Sequence, residues 1–466
     1  MPDVVFFESA MAQLGPFEKS PCLAVAVSGG ADSMALILLA DHWARARNGR
    51  VVGLTVDHGL RPESADEAQQ VGEMLAAYGI EHHILCWQEG RAGAALQENA
   101  REARYALLDD ALHRLGILHL LVAHHRDDQD ETRRMRSLRN SGDIGRAGMS
   151  AVRYLRHGRV LRPLLTLRKA ELMAYLRGRH QNWIEDPSNI NPRFERVRIR
   201  KDLAQDGAGV EPADIHRAVI TRQQAESRIG QILARSVSID ATGMAVIDLA
   251  QWRETTVDNP DIAGYALGHI LRVVGGADHA PAQAATQKAL AILQATPDIS
   301  PRRMSLGGCL IHRRGGGGLI CREFGRMDVR VHILTPERPL LWDGRIEFFR
   351  LRDEKFGQNG ISDDLAVAPL GVCDQSHTKE IRAALARVSA FPGGLPRQAM
   401  DVLPVIFYRD SGLFLAPLEI CCGSDVLSAA GCQLPLRGAE KTTGIFWRFL
   451  PPAPLWGGGF KIVAEL

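Results

Sequence analysis

A short run of small and polar residues near the N-terminus has the composition and spacing of an anion-binding loop. It consists of Ser28, Gly29, Gly30, Ala31, Asp32 and Ser33. The apolar run 22–27 predicts a strand before it, and the run 34–39 predicts a helix after it. Adjacent glycines let the backbone turn sharply, and N–H groups at a helix N-terminus attract phosphate oxygens. The sequence therefore predicts a phosphate site, although the lysine of a Walker loop is absent.

Polar residues also follow two later predicted strands. Asp57, His58 and Arg61 follow the strand 51–56, where an acid, an imidazole and a guanidinium can reach a nucleotide and its acceptor. Asp128 and Glu131 follow the strand 117–123 at the start of a helix, and residues three apart share a helix face. Such a carboxylate pair suits an ammonium group, whereas acids in a first turn can also simply complement the helix dipole.

Basic residues cluster in the middle of the chain. Residues 126–200 hold 18 Arg and Lys against 9 Asp and Glu, although the net charge of the whole chain is only +2. The predicted helix 97–115 carries two arginines near its start, and a basic run ends at residue 200; the residues are Arg101, Arg104, Arg196, Arg198 and Arg200. Clustered arginines bind nucleic-acid phosphates, and the alternative is a solvated helix face.

The order of predicted elements indicates an α/β protein. Residues 1–205 alternate apolar strands with amphipathic helices, which predicts a doubly wound, Rossmann-like parallel sheet with ligands at the carboxyl ends of its strands. Residues 206–325 are predicted to form a mainly helical domain that ends in a hairpin around the glycines at 315–318. Residues 326–466 are predicted to form a small α+β or mostly β module.

Composition favours a cytoplasmic protein. The chain has 466 residues, of which 45% are hydrophobic and 24% charged, and no window approaches the roughly 18 unbroken apolar residues of a membrane span. The first residues carry acid where a secretory signal would carry base. The eight cysteines include no C-x-x-C pair, which favours reduced thiols that pack in the protein.

Taken together, the motifs resemble those of the tRNA(Ile)-lysidine synthetases, a family of PP-loop ATP pyrophosphatases. The resemblance covers roughly residues 20–205 and rests on S-G-G-A-D-S, V-D-H-G-L-R-P-E-S, Q-E-N-A-R-E-A-R-Y, H-H-R-D-D-Q-D-E-T, W-I-E-D-P-S-N and R-F-E-R-V-R-I-R. It implies a ligase that joins free lysine to the C2 carbonyl carbon of the wobble cytidine in an isoleucine tRNA with a CAU anticodon. The reaction would pass through an adenylated cytidine and release pyrophosphate and AMP.

The resemblance also implies residue roles. Asp32, Asp128 and Glu131 would be catalytic, with Mg²⁺ on Asp32 and lysine on the other two carboxylates. ATP would bind the loop 28–33 together with Asp57 and His58. The substrate-binding arginines would be Arg61, Arg101, Arg104, Arg196, Arg198 and Arg200. Whether either carboxylate accepts the amine's proton stays open, as does formation of a homodimer.

Three residues depart from the family pattern. Arg126, Arg133 and Arg134 stand where the family generally has apolar residues, so basic groups occupy a helix that should pack inward. Three other functions remain as alternatives: a PP-loop tRNA thiolase, an amidating pyrophosphatase acting on a small metabolite, and a non-enzymatic RNA-binding protein with a relic nucleotide site. The missing C-x-x-C disfavours thiolation, and the basic stretch disfavours a small-metabolite enzyme.

Overall fold

The computed structural model describes most of the chain. Its description leaves out residues 1–3, 58, 60–63, 88–95, 139–142, 186–197, 200–211, 258–259, 296–301, 315, 351–364, 374–377, 380–381, 383–393, 409–413, 416–444, 457–460, 462 and 464–466, and the side chains of 96–102, 143, 145, 212–214, 414–415 and 445–446. The residues divide into two compact units. The first is Met1–Glu226 with Gly457–Leu466, and the second is Ser227–Trp456.

The first unit is built on a six-stranded sheet. Its strands are β1 (Cys22–Ala26), β2 (Arg50–Asp57), β3 (Glu81–Cys86), β4 (His119–Leu121), β5 (Val152–Tyr154) and β6 (Arg159–Leu161). Their order is β3-β2-β1-β4-β6-β5, and only the β5–β6 pair is antiparallel. The chain runs outward from β1 in both directions, which confirms the predicted doubly wound parallel sheet.

Helices cover both faces of this sheet. They are α1 (Val4–Leu14), α2 (Ala31–Arg45), α3 (Ser64–Ala76), α4 (Leu96–Leu115), α5 (Arg126–Leu138), α6 (Asp143–Arg146) and α7 (Lys169–Arg177). Successive side chains of a strand point to opposite faces, so Leu23 and Val25 join one buried cluster with α1, α2 and α7. Ala24 joins another cluster with Leu108 and Leu112 of α4. The strands are therefore buried on both faces, as a parallel sheet requires.

The second unit begins within a long helix, α8 (Pro212–Ser236), and contains a five-stranded antiparallel sheet. Its strands are β7 (Val237–Ile239), β8 (Ala245–Asp248), β9 (Arg303–Leu306), β10 (Cys309–Arg314) and β11 (Gly317–Arg322), in the order β7-β8-β11-β10-β9. Its helices are α9 (Leu249–Thr256), α10 (Pro260–Gly275) and α11 (Gln283–Gln294). The strands β10 and β11 form the predicted hairpin, whereas the sequence pattern did not predict β7 and β8.

The rest of the second unit forms two smaller antiparallel sheets, in agreement with the predicted C-terminal α+β module. Its elements are β12 (His332–Ile333), β13 (Leu340–Trp342), β14 (Ile346–Arg350), β15 (Leu365–Pro369), α12 (Arg397–Asp401), β16 (Pro404–Tyr408), β17 (Phe414–Leu415) and β18 (Ile445–Phe449), with single 3-10 turns at Phe324–Arg326 and Leu370–Val372. The sheet orders are β12-β15-β16-β17 and β13-β14-β18. Among the helices described here, none is long and apolar enough to cross a membrane.

The helix α5 is fastened to the loop before β5 through one buried glutamine. The Gln129 side chain donates to the Met149 carbonyl at 2.9 Å and accepts from the Met149 N–H at 2.6 Å. The preceding Gly148 has φ +89°, and a Cβ atom there would lie 2.5 Å from Oε1 of Gln129. Glycine is therefore required at this position for two reasons, backbone conformation and space.

We expect Gly148→Ala to destabilise the first unit more than Gly116→Ala does. Gly116 also has a positive φ, +64°, but an added Cβ would meet nothing within 4 Å. Both changes cost about 1–2 kcal/mol of backbone strain, and the change at Gly148 also breaks the two hydrogen bonds of Gln129, at about 1 kcal/mol each. Urea unfolding curves of the two variants measure the difference, and equal losses would contradict the proposed anchoring of α5.

Candidate active site

The loop between β1 and α2 has the geometry predicted for an anion site. The Ser28 N–H donates to the Ser33 hydroxyl oxygen at 3.2 Å, and that hydroxyl donates to the Gly30 carbonyl at 3.0 Å. Gly30 is the N-cap of α2 and has no side chain to satisfy the helix's first N–H groups. The loop is thus closed on itself while the helix N-terminus stays available to anionic oxygens.

A segment distant in sequence holds this loop in place. The Ile184 N–H donates to the Gly29 carbonyl at 2.9 Å. Gly29 has φ +82°, and a Cβ atom there would lie 2.8 Å from Cδ1 of Ile184 and 2.9 Å from Cγ2 of Val71. The W-I-E-D motif therefore contributes at least one backbone contact to the loop, a role that sequence reasoning did not assign to it.

Beside the loop lies a cavity of about 260 Å³ at the carboxyl ends of β1, β2 and β4. Its apolar lining includes Leu54, Val56 and Val122. Its polar lining includes Ser28, Asp32, Arg104 and His124. An apolar wall beside an anion-binding loop is suited to a nucleotide, whose base prefers the wall and whose phosphates prefer the loop.

Asp57 is fixed at the end of β2. Its Oδ1 accepts hydrogen bonds from the Gly59 N–H at 2.9 Å and the Ser64 hydroxyl at 2.6 Å. The structure thus ties the end of this strand to the start of α3. His58 and Arg61, predicted beside it, lie outside the described residues.

A buried histidine joins three carboxylates. Nε2 of His125 lies 3.6 Å from Oδ2 of Asp32 and 3.6 Å from Oδ2 of Asp128, and its Nδ1 lies 3.4 Å from Oδ2 of Asp127. The His125 side chain is only 5% exposed. Asp128 also accepts the His125 backbone N–H at 3.1 Å. Asp32 of the loop and Asp128, one of the two carboxylates predicted to bind lysine, therefore face the same imidazole ring.

The charges of this cluster stabilise one another. Burial alone would lower the pKa of His125, but its contacts with Asp127, Asp32 and Asp128 outweigh burial and raise the pKa to about 10. Burial alone would raise the pKa of Asp32, yet His125 and Lys169 lower it. The nearby His125 ring likewise holds the pKa of Asp127 below its usual range. At neutral pH the ring is an imidazolium among carboxylates.

The N-terminus of α7 adds two cations that sequence reasoning missed. Nζ of Lys169 lies 3.5 Å from Oδ2 of Asp32. The Arg168 guanidinium contacts Asp127 at 2.8 Å and Asp130 at 3.0 Å, and the Lys169 N–H donates to Asp127 at 2.8 Å. Helix α7 therefore clamps the first turn of α5 and brings a lysine to the loop.

Glu131 lies one turn further along α5 than Asp128 and is more buried. Its residue is 1% exposed, whereas the Asp128 side chain is 16% exposed. Gln129 and Thr132, which lie close to Glu131 in the sequence, are also buried. The two carboxylates thus occupy one helix, and Asp128 is the more exposed of the two.

The structure describes the side chains of two of the six arginines predicted to bind substrate. Arg104 lines the cavity, and Arg198 is exposed. The side chain of Arg101 lies outside the described residues, as do Arg196 and Arg200.

The structure explains how α5 accommodates one of the three arginines that depart from the family pattern. The Arg133 side chain is only 13% exposed and lies 3.4 Å from Asp130, while its burial lowers the pKa of Arg133. Arg126 and Arg134 are half-buried. The helix therefore packs inward as expected, and at Arg133 the buried charge is accommodated by a neighbouring acid on the same helix.

Comparison with known proteins identifies close relatives of this chain. Residues 5–206 match the family model of the PP-loop domain. A tRNA(Ile)-lysidine synthase from Rhizobium meliloti (strain 1021) is 37% identical over 359 residues, which cover 74% of this chain and 76% of the relative. Another from Mesorhizobium japonicum is 32% identical over 457 residues, which cover 95% of this chain and 91% of the relative.

A solved structure with a similar fold has lower sequence identity to this chain. A tRNA thiolase from Methanococcus maripaludis is 15% identical with a TM-score of 0.38, and the match covers 47% of this chain and 76% of that chain. A similarity at this level does not bear on activity.

The pKa of His125 predicts a pH-dependent contribution to stability. Its folded pKa of about 10 exceeds the ordinary value of 6.5, so its contribution is complete below pH 6.5 and is lost as the pH rises through 10. We expect the stability advantage of the wild type over His125→Gln to shrink by on the order of 3 kcal/mol between pH 7 and pH 10. Urea unfolding at both pH values measures this, with His42→Gln on the exposed face of α2 as control. A constant advantage would contradict an imidazolium at position 125.

Proposed function

The chain belongs to the tRNA(Ile)-lysidine synthase family, and we propose that its active-site residues divide the reaction between a nucleotide half and a lysine half. The enzyme is a ligase that forms lysidine on tRNA(Ile) in an ATP-dependent reaction. In the proposed scheme the C2 carbonyl oxygen of the wobble cytidine in a CAU anticodon attacks the α-phosphate and expels pyrophosphate. The lysine amine then attacks the C2 carbon, and AMP leaves. Adenylation converts the C2 oxygen of the cytidine from a poor leaving group into a good one.

In the nucleotide half, the loop 28–33 binds the phosphates of ATP. The N–H groups at the start of α2 and the closed loop support this role. The apolar wall of the cavity accommodates the base, and Arg104 lies at the same cavity to contact either substrate. We further propose that Asp57 and His58 contact the nucleotide from the end of β2, as the family resemblance implies.

Asp32 fits the role of a Mg²⁺ ligand. Its Oδ1 is buried and accepts no hydrogen bond from the described residues. Within those residues no group of three or more His, Cys, Asp and Glu side chains is arranged to hold a metal on its own. Mg²⁺ is commonly held by one or two carboxylates together with substrate phosphates, so a single aspartate is sufficient. When bound, the ion would neutralise charge on the phosphates.

In the lysine half, Asp128 and Glu131 bind the ammonium group of free lysine and orient its reacting amine. The burial of Glu131 supports this role, because a buried carboxylate attracts a cation more strongly than an exposed one. Asp128 already faces a cation, the His125 ring, at 3.6 Å, and lysine would bring a second cation to this carboxylate.

Basic residues at the cavity and beyond it hold the tRNA. We assign this role to Arg61, Arg101, Arg104, Arg196, Arg198 and Arg200, and the exposure of Arg198 is consistent with it. Residues 1–205 would form the catalytic domain, and residues 206–325 and 326–466 would contact tRNA. We also propose that the enzyme acts in the cytoplasm, where its substrates are found, and that it forms a homodimer.

One observation carries the proposal: Asp32 of the nucleotide half and Asp128 of the lysine half lie at the same distance, 3.6 Å, from one nitrogen of His125. The two half-reactions thereby share one centre. A tRNA thiolase would instead need a cysteine at this centre. Cys22, however, begins β1 at the end of the strand opposite the loop, and Cys86 ends β3 at the sheet edge.

We expect Asp32→Asn to reduce pyrophosphate release from ATP and tRNA by at least roughly 100-fold while the fold is retained, because it removes the charge that holds the metal. Asp41→Asn is the matched control on the same helix, where Asp41 only pairs with Arg45 on the surface. Steady-state pyrophosphate release measures both variants. Turnover of Asp32→Asn at the wild-type rate would show that the loop assignment is wrong.

We expect Glu131→Gln to separate lysine binding from adenylation. Loss of one charge-assisted hydrogen bond is worth about 1.5–3 kcal/mol, or roughly 10- to 150-fold in lysine affinity. The variant should need that much more lysine for AMP release yet still transfer label from α-labelled ATP to tRNA when lysine is absent. The matched control is Glu73→Gln on the exposed face of α3.

Two results would count against this lysine site. The first is an unchanged lysine requirement in Glu131→Gln. The second is an equal loss of adenylation and lysine use, which would indicate a structural role for Glu131.

A further inference from the structure

The chain returns to the first unit near its end and pairs with the loop before β5. Gly457–Leu466 belongs to the first unit, although Ser227–Trp456 forms the second. The Ala151 N–H donates to the Lys461 carbonyl at 2.7 Å. The Lys461 N–H donates to the Ser150 hydroxyl oxygen at 3.2 Å, and that hydroxyl donates to the Lys461 carbonyl at 3.4 Å. Both backbone groups of Lys461 are therefore bound, whereas its side chain is exposed.

A buried valine anchors the same segment. Val463 is 6% exposed and belongs to the buried cluster that also contains Ala151 and Val152. We call Lys461 and Val463 the tail. The tail is thus held by hydrogen bonds at one residue and by burial of an apolar side chain at the other.

Two arginines bind the first residue of the loop, Gly148. Nη1 of Arg136, on α5, donates to its carbonyl at 2.7 Å, and Nη1 of Arg222, on α8, donates to the same carbonyl at 2.9 Å. The chain leaves the first unit along α8, after Glu226. The chain therefore contacts one loop, residues 148–151, just before it leaves the first unit and again just after it returns.

Arg162, which follows β6 and is 5% exposed, binds the same loop. Its Nη1 donates to the Ser150 carbonyl at 2.8 Å, and its backbone N–H donates to the Ala151 carbonyl at 2.9 Å. Its Nε donates to Nδ1 of His124 at 3.2 Å, and His124 lines the cavity beside the loop 28–33. Ser150 therefore binds the tail through its hydroxyl and, through its carbonyl, an arginine that contacts the cavity lining.

The loop 148–151 in turn holds α5, the helix that carries the two carboxylates of the lysine half. Gln129 makes two hydrogen bonds with Met149, at 2.9 Å and 2.6 Å. Arg136, which binds Gly148, lies about two turns further along the same helix. Contacts at two points along α5 fix both its rotation and its axial position.

We propose that the tail is a positioning element of the lysine site. It holds the loop 148–151 through Ser150. The loop fixes the helix that presents Asp128 and Glu131 to lysine, a role that rests on the function proposed above. A charge-assisted hydrogen bond weakens when its partners move apart or out of line, so a displaced α5 would bind the ammonium group less well.

The nucleotide half depends less on the tail. The loop 28–33 is closed by its own hydrogen bonds, and the Ile184 N–H binds it from a different segment. Loss of the tail contact should therefore affect the use of lysine more than the adenylation of tRNA. A general loss of stability would instead reduce both activities together.

Two changes at one position test this difference in the full chain. Lys461→Pro removes the N–H that binds Ser150, because proline has no backbone donor, whereas Lys461→Ala removes only the exposed side chain. We expect Lys461→Pro to need roughly 10-fold more lysine for half-maximal AMP release. Lys461→Ala should behave as the wild type. Both variants should transfer label from α-labelled ATP to tRNA without lysine at close to the wild-type rate.

Ser150 provides an independent pair of variants. Ser150→Ala removes the hydroxyl that binds the tail, and Ser150→Thr keeps a hydroxyl at that position. We expect the lysine requirement to rise in Ser150→Ala and to return toward the wild-type value in Ser150→Thr. An equal lysine requirement in these two variants would overturn the role of the hydroxyl.

Hydrogen exchange measured by mass spectrometry tests the position of α5 without any substrate. We expect the amides of α5 to exchange faster in Lys461→Pro than in Lys461→Ala, and the amides of α3 to exchange equally in the two variants. Equal exchange in α5 would show that the tail does not hold this helix. Equal acceleration in α3 and α5 would indicate a general loosening of the unit and would also overturn the inference.

The kinetic outcomes separate this inference from the proposed function. A wild type that requires lysine, with no higher requirement in Lys461→Pro, would overturn the role of the tail and leave the enzyme assignment intact. An equal loss of adenylation and lysine use in Lys461→Pro would overturn the tail's specific role at the lysine site. AMP release by the wild type without any need for lysine would overturn the proposed function itself, and hydrogen exchange would still show whether the tail holds α5.

Discussion

The architecture of the active site depends on one buried cation among carboxylates. Asp32, Asp127 and Asp128 come from two helices that are far apart in sequence, and each lies within 3.6 Å of the His125 ring. Partly buried carboxylates that close together would repel one another without a counter-ion. The imidazolium removes that repulsion and fastens the first turn of α5 to the first turn of α2. The nucleotide and lysine halves of the site are thereby held in one geometry.

The parallel sheet determines which other groups can reach this centre. The carboxyl ends of β1, β4 and β6 lie side by side, so the loop 28–33, His124 and Arg162 lie near one another although they are distant in sequence. Helix α7 then brings Lys169 to Asp32. Asp32, Asp128 and His124 each have a charged neighbour of defined position, which is the preorganisation that phosphate and ammonium recognition requires.

Much of this was predictable because the motifs are local. The loop 28–33, the α/β alternation and the pairing of Asp128 with Glu131 on one helix follow from spacing within single elements. The contacts of Arg162, Lys169 and Ile184 were not predictable, because each joins segments that only the tertiary fold brings together. The burial of Arg133 also needed the structure, since its acid partner matters only once the helix is packed. The strands β7 and β8 have three and four residues, too few for a periodic pattern.

The most direct test of this account is the stoichiometry of the complete reaction. The enzyme is incubated with ATP, Mg²⁺, labelled lysine and a tRNA transcript with a CAU anticodon, and AMP, pyrophosphate and tRNA-bound lysine are measured together. A single centre that adenylates cytidine and then transfers lysine predicts one AMP and one pyrophosphate for each lysine incorporated, with AMP release dependent on both tRNA and lysine. AMP release without tRNA, or AMP release without incorporation of lysine, would contradict it.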